Sequence, residues 1–507
     1  MSLKVLKYIC KLCVNIYFTA LSNKLYCSIF CLKKAEFAKK LFAMLKSGLN
    51  LQKIDLKLNY YDNITRIFAI ISQKFSKFHF NDKKEKTMSN AQTNATRALN
   101  LPPNAKILII GGGYGGLRVA LSLQKLVDFR APNAPQITLV SKHDYHYQTT
   151  LLHKVAVGTL SARKARIFYR NLFDPTKVKF IKDKIIRLNP DEKCVYGNGG
   201  RYDYDILVIG LGFKPESFGI KGVDEFAYKL SSLNSALKLA KNIEDKFKNF
   251  AHTKNELDLH FIVCGTGFTS IEFAAELASQ FDELCHICGI DKSVPKIYCV
   301  GRSERILPIF SENLSAKATK KLENKGVYII TKGNVKEVLQ DGVLVEQNGE
   351  LQTLKANTIL WCAGVKGSDI IENSPLKNKK GRIEVDSQLR CKEFEDIFVV
   401  GDSAYPTTKD ALHAPTAQLS AQMGDFVALM LAQNLKGRHF AQPFKFKHRG
   451  TVCSIGHTDA VGIVYGKELA GELAAFMKNT IENRWLFGLG GLKMVFKKGQ
   501  FRYRTSN

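Results

Sequence analysis

The sequence predicts an α/β protein with two Rossmann-like folds and an amphipathic C-terminal part. Two stretches carry this expectation. A continuous apolar run, Lys106 to Ile110, opens into Gly111-Gly112-Gly113-Tyr114-Gly115-Gly116. A helical pattern follows through Leu117, Ala120, Leu121, Leu123 and Leu126. About 150 residues later, Leu259 to Cys264 opens in the same way into Gly265-Thr266-Gly267-Phe268-Thr269-Ser270, with a helix through Ile271, Phe273, Ala274 and Leu277. Short uninterrupted apolar runs of this kind read as strands buried on both faces. In G-x-G-x-x-G the first glycine makes the tight turn, the second admits a pyrophosphate to the backbone, and the third lets helix pack on sheet. The helix N-terminus then stabilises the phosphates. In the second turn Ser270 stands for the third glycine and is small enough for the same packing.

Each turn has its partner strand, Gln136 to Val140 for the first and Lys296 to Val300 for the second. The acid that ordinarily closes such a strand and binds a ribose is missing from both. Ser141 and Lys142 follow the first strand. The serine is suited to a ribose hydroxyl and the lysine to a phosphate. Gly301 and Arg302 follow the second. Without an acid a ribose 2′-phosphate is not repelled, and an arginine can accept it. Use of NADPH beside NADH is therefore one expectation, and a merely solvated Arg302 the other. A chain with two dinucleotide folds passes electrons between its ligands, so FAD is expected in the first and a nicotinamide cofactor in the second.

The 507 residues suffice for two or three domains, and 45% hydrophobic residues for full cores. A formal net charge of +29 points to an anionic partner. No nucleic-acid-binding motif appears, so no nucleic-acid partner is expected. The 12 cysteines form no disulfide framework, and Cys264 and Cys299 sit in strand-like runs, as reduced thiols in a reducing compartment would. No metal is expected. No run of about eighteen uncharged apolar residues occurs, which predicts no transmembrane helix. Residues 1–87 hold 17 Lys+Arg against 5 Asp+Glu, with Arg66 the one arginine. That fits neither a transit peptide nor a secretory signal. Met88 is expected as the true start, and Cys10/Cys13 lacks an answering pair in that segment.

Three further stretches fall in the order of the two-dinucleotide flavoproteins. Tyr204 to Gly212 resembles the strand leaving the FAD domain, and Thr358 to Val365 the strand and loop returning from the NAD domain. Ile397 to Ser403 resembles the second FAD motif, with Asp402 as its aspartate. Within that superfamily the chain resembles the type II NADH:quinone oxidoreductases. His143 to Leu160, Gly267 to Leu277 with Glu272, the Trp361-x-Ala363-Gly364 element, and Ala414 to Gly424 with Gln418 and Gln422 carry the resemblance. It runs from about residue 104 to the C-terminus. Disulfide reductases of the same superfamily need cysteine pairs at positions where none stands here. Cys285 and Cys288 read as incidental, in an insertion loop. A sulfide:quinone oxidoreductase needs a cysteine pair at the flavin face. None is seen near Gln418, and Cys194 and Cys391 stay open.

The resemblance implies a glutathione-reductase-like architecture with the NAD domain inserted in the FAD domain. The expected division is a basic extension 1–103, FAD parts 104–230 and 371–435, an NAD(P)H fold 231–370, and a membrane-anchoring region 436–507. It implies FAD contacts along Gly111–Gly116 and at Ser141, Lys142, Thr149 and Ile185, then at Asp402, Ala417, Gln418 and Lys478. NAD(P)H is expected at Gly265, Gly267, Phe268, Thr269, Glu272 and Arg302, and at Ala363 and Gly364. Quinone is expected at Gln418, Gln422, Lys478 and Ile481.

The helix of Gln418 and Gln422 is expected to start at Pro415, and the bland reading of the two amides is a solvated or capping face. Glu272, placed in the first turn of its helix, is either a nicotinamide contact and proton relay or a complement to the helix dipole. From Lys467 onward, apolar positions Leu469, Leu473, Phe476, Met477 and Ile481 recur at helical spacing. Trp485, Phe487 and a lysine- and arginine-rich end follow. That suits a helix lying on anionic lipid; a dimer interface or core helix is the alternative. The implied activity is non-pumping transfer from NAD(P)H to a membrane quinone at the cytoplasmic face of a bacterial inner membrane. A homodimer is left open. A flavin-based NAD(P)H sensor is the reading from another class.

Overall fold

In the computed structural model, Leu99, 101–406, 414–438 and 440–501 are described. The expectations for residues 1–87, Met88 and Cys10/Cys13 lie outside them, as do Arg502 and Arg504.

The chain first lays down β1 (Lys106–Ile110), α1 (Tyr114–Leu126), β2 (Gln136–Ser141), α2 (Leu152–Val157), β3 (Val178–Lys182) and β4 (Ile206–Ile209). It then builds a second body from α3 (Leu233–Thr253), β5 (His260–Cys264), α4 (Phe268–Cys288), β6 (Lys296–Val300), β7 (Val327–Ile330) and β8 (Thr358–Trp361). It returns to the first sheet with β9 (Ile397–Val399) and α5 (Ala417–Asn434). The order of the first sheet is β9-β4-β1-β2-β3, all parallel. The second runs β8-β5-β6-β7, with the short strand Tyr228–Lys229 on the outside of β8, again all parallel. The insertion expected from the resemblance is thus present.

The apolar runs give these strands because they are buried on both faces. Ile107 to Ile110 and Phe261 to Cys264 are each at most 3% exposed. In both sheets the strand carrying the glycine turn lies between a strand that follows it directly and one added much later. Such a reversal opens a crevice at the carboxyl ends of the strands. The first turn opens between β1 and β4, the second between β5 and β8.

The C-terminal part departs from expectation. Lys467 does not begin a helix. A three-stranded antiparallel sheet, β10 (Gly450–Ser454), β11 (Ala460–Val464) and β12 (Lys467–Ala470), precedes α6 (Glu472–Lys498). Gly471, at φ +82, ends the strand and starts the helix. α6 is two helical pieces joined across a break at non-helical Gly490 and Gly491. Its burial is inverted. Lys478, Asn479, Glu482 and Asn483 face inward, whereas Leu473, Ile481 and Phe496 are 58%, 37% and 51% exposed.

Two smaller expectations also change. Cys285 and Cys288 lie on the last turns of α4, whose 21 residues leave no insertion loop there. Pro415 is not the first helical residue. Thr416 caps α5, its hydroxyl accepting from the Leu419 amide at 3.1 Å.

Candidate active site

The first glycine turn is built by contact. A Cβ on Gly111, which sits at φ +97, would lie 2.2 Å from the Gly210 carbonyl oxygen across the switch point. A Cβ on Gly116 would lie 2.0 Å from the Gly111 oxygen. Gly115 packs on Val400, and a Cβ on Gly112 would strike the Tyr169 hydroxyl, with Ser141 Oγ 3.1 Å away. Gly113 alone of the turn has nothing within 4 Å. It is the N-cap of α1, with no side-chain cap and no acid in the first turn. Free amides at a helix start beside an open glycine suit a pyrophosphate. The residues present therefore fit FAD.

The second turn repeats the pattern. Gly265, at φ +124, abuts the Cys362 carbonyl and Ser270 Oγ, while Gly267 is open and caps α4 without a side chain or an acid. Phe268 packs edge-on against Phe310, and Thr269 is exposed at the mouth. Arg302 is exposed at the end of β6, its guanidinium 5.6 Å from the Phe218 ring. Phe218 in turn lies against Gly364, where a Cβ would be 2.3 Å from the ring. Ala363 is exposed beside it.

Around the first turn, Lys142 is exposed, and burial beside Lys184 and Lys214 lowers its pKa. Thr149 and Thr150 lie beside the Tyr114 hydroxyl, whose pKa burial pushes up to about 12. Ile185 is 4% exposed and begins the strand Ile185–Asn189. Asp402 follows β9, and burial raises its pKa despite the opposing pull of Arg382 and Ser420. Ala417 and Gln418 open α5.

The two glutamines are neither solvated nor capping. Gln418 Oε1 accepts from the Arg449 amide at 2.9 Å. Gln422 accepts from the Lys447 amide and donates to the Lys447 carbonyl, both at 3.0 Å. They stitch α5 to the segment entering β10.

Glu272 lies beyond the first turn of α4, where it does not serve the dipole. It is 6% exposed. Its Oε1 lies 2.7 Å from Lys478 Nζ on α6 and accepts from the Ser454 amide and hydroxyl at 3.0 Å each. His153 Nδ1 is 3.7 Å from its other oxygen. Burial pushes the Glu272 carboxyl up, but Lys478 and His153 bring it below its usual range. Burial lowers the Lys478 ammonium, and Glu272 with Glu482 more than reverses that. Both therefore stay ionised. Ile481, the other residue expected at the quinone, lies one turn further along α6 at the surface.

The sequence reading missed the groups that support these. The Gly112 carbonyl accepts from the Tyr169 hydroxyl at 2.7 Å and faces His146 Nδ1 at 3.2 Å. Trp485 Nε1 donates to His146 Nε2 at 3.2 Å, which leaves Nδ1 as the donor to Gly112. Glu276, Glu482 and His153 join the Lys478 cluster. Glu276 stands four residues after Glu272 and Glu482 four after Lys478, so helical spacing could have drawn attention to both.

Burial brings the His146 and His153 pKa values from near 6.5 down to about 4. The unfolded chain takes up those protons first. Their stability contribution is thus complete above about pH 6.5 and is lost as pH falls toward 4, at up to roughly 3 kcal/mol for His146. We expect Tm to fall through that window. His146→Gln, which can still bridge Trp485 and Gly112 without titrating, should make the fall shallower. An unchanged acid limb in that variant would contradict the assignment.

Two nucleotide turns at two switch points, with a buried ion pair joining the second fold to the C-terminal helix, define a two-nucleotide oxidoreductase of the flavoprotein class. Consistent with this, residues 105–424 match the pyridine nucleotide-disulphide oxidoreductase family. The chain is 40% identical over 400 residues to a type II NADH:quinone oxidoreductase of Staphylococcus saprophyticus, covering 78% of this chain and 98% of the relative. The Staphylococcus aureus relative of the same name is 39% identical over the same shares. The chain belongs to the type II NADH:quinone oxidoreductases. Among solved structures, NDH2 of Plasmodium falciparum in complex with NADH superposes with TM-score 0.69 at 20% identity, covering 78% of this chain and 99% of that one. The sulfide:quinone oxidoreductase of Aquifex aeolicus gives 0.62 at 19%, over 76% and 91%. At such identities these two attest the fold.

Proposed function

We infer that this chain oxidises NADH, and NADPH beside it, and reduces a quinone to the quinol by two electrons without pumping protons. When bound, FAD accepts two electrons from the nicotinamide and yields them to the quinone. One observation carries the reading: α4, behind the nicotinamide turn, and α6, the apolar-faced helix, meet at the buried Glu272–Lys478 pair. A water-borne donor and a lipid-borne acceptor are thereby served from one place.

The residues divide the work. Gly111 to Gly116, with Ser141, Lys142, Thr149, Ile185, Asp402 and Ala417, hold the flavin nucleotide. Gly265, Gly267, Phe268, Thr269, Ala363 and Gly364 hold NAD(P)H. Gln418 and Gln422, fixed by backbone bonds, each keep a second N–H for a carbonyl oxygen. Lys478 keeps a proton at Nζ, beside Glu272 and the Val452 carbonyl, and Ile481 offers an apolar contact. The outward apolar residues of α6, with the exposed Lys493 and Lys497, support docking on an anionic leaflet at the cytoplasmic face of a bacterial membrane. Among the described residues no helix is long and apolar enough to cross a membrane.

Burial raises the pKa values of Cys264, Cys299, Cys362, Cys391 and Cys453. Thiols so raised are protonated and poor nucleophiles. For these five, Cys391 included, that argues against a part in sulfide chemistry.

Steady-state oxidation of NADH and NADPH by the yellow protein, with and without a soluble quinone, tests the reading. Rapid quinone-dependent oxidation is expected. Flavin that NADH reduces but quinone does not reoxidise would point to the sensor class. For Arg302, a charge-assisted bond to a 2′-phosphate is worth about 1.5–3 kcal/mol, or roughly 10–100-fold. Arg302→Ala should therefore depress kcat/KM for NADPH by that factor and leave NADH nearly unchanged. A hundredfold preference of the native enzyme for NADH would end this part of the proposal.

A further inference from the structure

Behind the Glu272–Lys478 pair lies a third carboxyl that the reading above does not use. Glu482 is one turn beyond Lys478 on α6 and only 4% exposed. Neither of its oxygens has a hydrogen-bond partner among the described residues. Lys478 Nζ is 3.9 Å from Oε1, too far for a good hydrogen bond and near enough for a proton to cross after a small movement.

The charges around it are already matched. Lys154 of α2 and Lys478 stand against Glu272 and Glu276 of α4, and Tyr114 of α1 also feels Glu482. Glu276 is held by Thr159 and by His457 Nδ1 at 3.1 Å. Ionising Glu482 would add an uncompensated negative charge to a buried space, which is costly. Burial, opposed by Lys154 and Lys478, raises its pKa in keeping with this. A buried carboxyl with no hydrogen-bond partner among the described residues, beside a paired ammonium, is poorly explained as a structural bond. It is well placed as a reserve of one proton.

We propose that Glu482 is the proton store that recharges Lys478 during quinone reduction. The proposal rests on the reading of Lys478 as a group at the quinone. The overall reaction, NADH + H⁺ + quinone → NAD⁺ + quinol, consumes one proton from water. Lys478 gives a proton from Nζ to a quinone oxygen, leaving a neutral amine. The O–H bond of Glu482 then breaks and an N–H bond re-forms on Lys478. The Glu482 carboxylate afterwards takes its proton back from solvent water. Glu482 acts through Lys478, so it is a positioning and relay residue and does not itself touch the quinone.

The test uses the flavin-loaded full chain. Infrared difference spectroscopy of the wild type minus Glu482→Gln at neutral pH should show the carbonyl stretch of one protonated carboxyl. In stopped flow, reduction by NADH is the control, and reoxidation by a soluble quinone is the readout. Wild-type reoxidation should slow as pH rises through the Glu482 pKa. Reoxidation of Glu482→Gln should be about ten- to a hundredfold slower and flat with pH. Glu482→Asp should restore a pH-dependent limb at a shifted position. It decides the matter alone if the Gln variant fails to fold or to hold flavin, a moved limb supporting the proposal and an unmoved limb overturning it. A missing neutral-carboxyl band, or a Gln variant with wild-type rate and pH profile, overturns it. A wild type that reduces no quinone at any pH defeats the functional reading, and the proposal with it. An intact wild-type reaction with an unchanged Gln variant defeats the proposal alone.

Discussion

Gly113→Ala is expected to fold with near-native stability and to lose its flavin, whereas Gly116→Ala should damage the fold itself. The two glycines stand three residues apart in one turn, yet a methyl group meets different things at each. At Gly113 nothing of the protein lies within 4 Å, and φ of −71 is one that alanine adopts freely. The methyl would occupy the space by which a pyrophosphate reaches the α1 amides. At Gly116 the methyl would sit 2.0 Å from the Gly111 backbone oxygen, which cannot swing aside as a side chain can. Forcing α1 from β1 should cost about 1–3 kcal/mol or more. Flavin absorbance after purification and thermal melts of the flavin-free proteins separate the two. A yellow Gly113→Ala protein of full activity would show that the phosphates lie elsewhere.

The second large effect concerns the buried pair. Lys478→Met leaves the Glu272 carboxylate buried without its ammonium partner, held only by Ser454 and the more distant His153. Breaking a buried pair from one side typically costs about 3–5 kcal/mol. Quinone-dependent turnover should fall by roughly a hundredfold or more, the usual scale for losing a positioned proton donor. Adding Glu272→Gln removes the stranded charge and keeps the bond from the Ser454 amide. Stability should then recover to within about 1 kcal/mol of native, while turnover does not. Denaturant titrations and steady-state rates on the four proteins of the cycle give both numbers. If the double variant regained activity together with stability, the pair would be a structural fastening and no more.

The parts legible in the sequence are those that local pattern controls. Both glycine turns and their flanking strands could be read because each is specified within about ten residues by apolar runs and glycine spacing, while the order of the later strands came from the family resemblance. Glu272, Gln418, Gln422 and Lys478 were reached through resemblance. Their surroundings were not, because Ser454, His153 and Lys478 converge on Glu272 from three distant stretches. The C-terminal sheet was hidden for a related reason. Lys467 to Ala470 is short, and its alternation merges with the apolar spacing of α6, so the two read as one helix. Gly471 was the available signal for the break. In the sequence, Trp485 stands only as one aromatic of an amphipathic stretch. No local pattern could show that its indole N–H reaches His146.

That indole contact bears on how the protein is made. The carbonyl of Gly112 is held through His146 by a residue 339 positions later in the chain than that histidine. A polypeptide still emerging from the ribosome has its entire glycine turn long before it has α6. Until that helix folds down, the Gly112 carbonyl has the Tyr169 hydroxyl but lacks the brace through His146. A chain truncated ahead of Trp485 would keep the motif and its Tyr169 bond while lacking the second brace behind it.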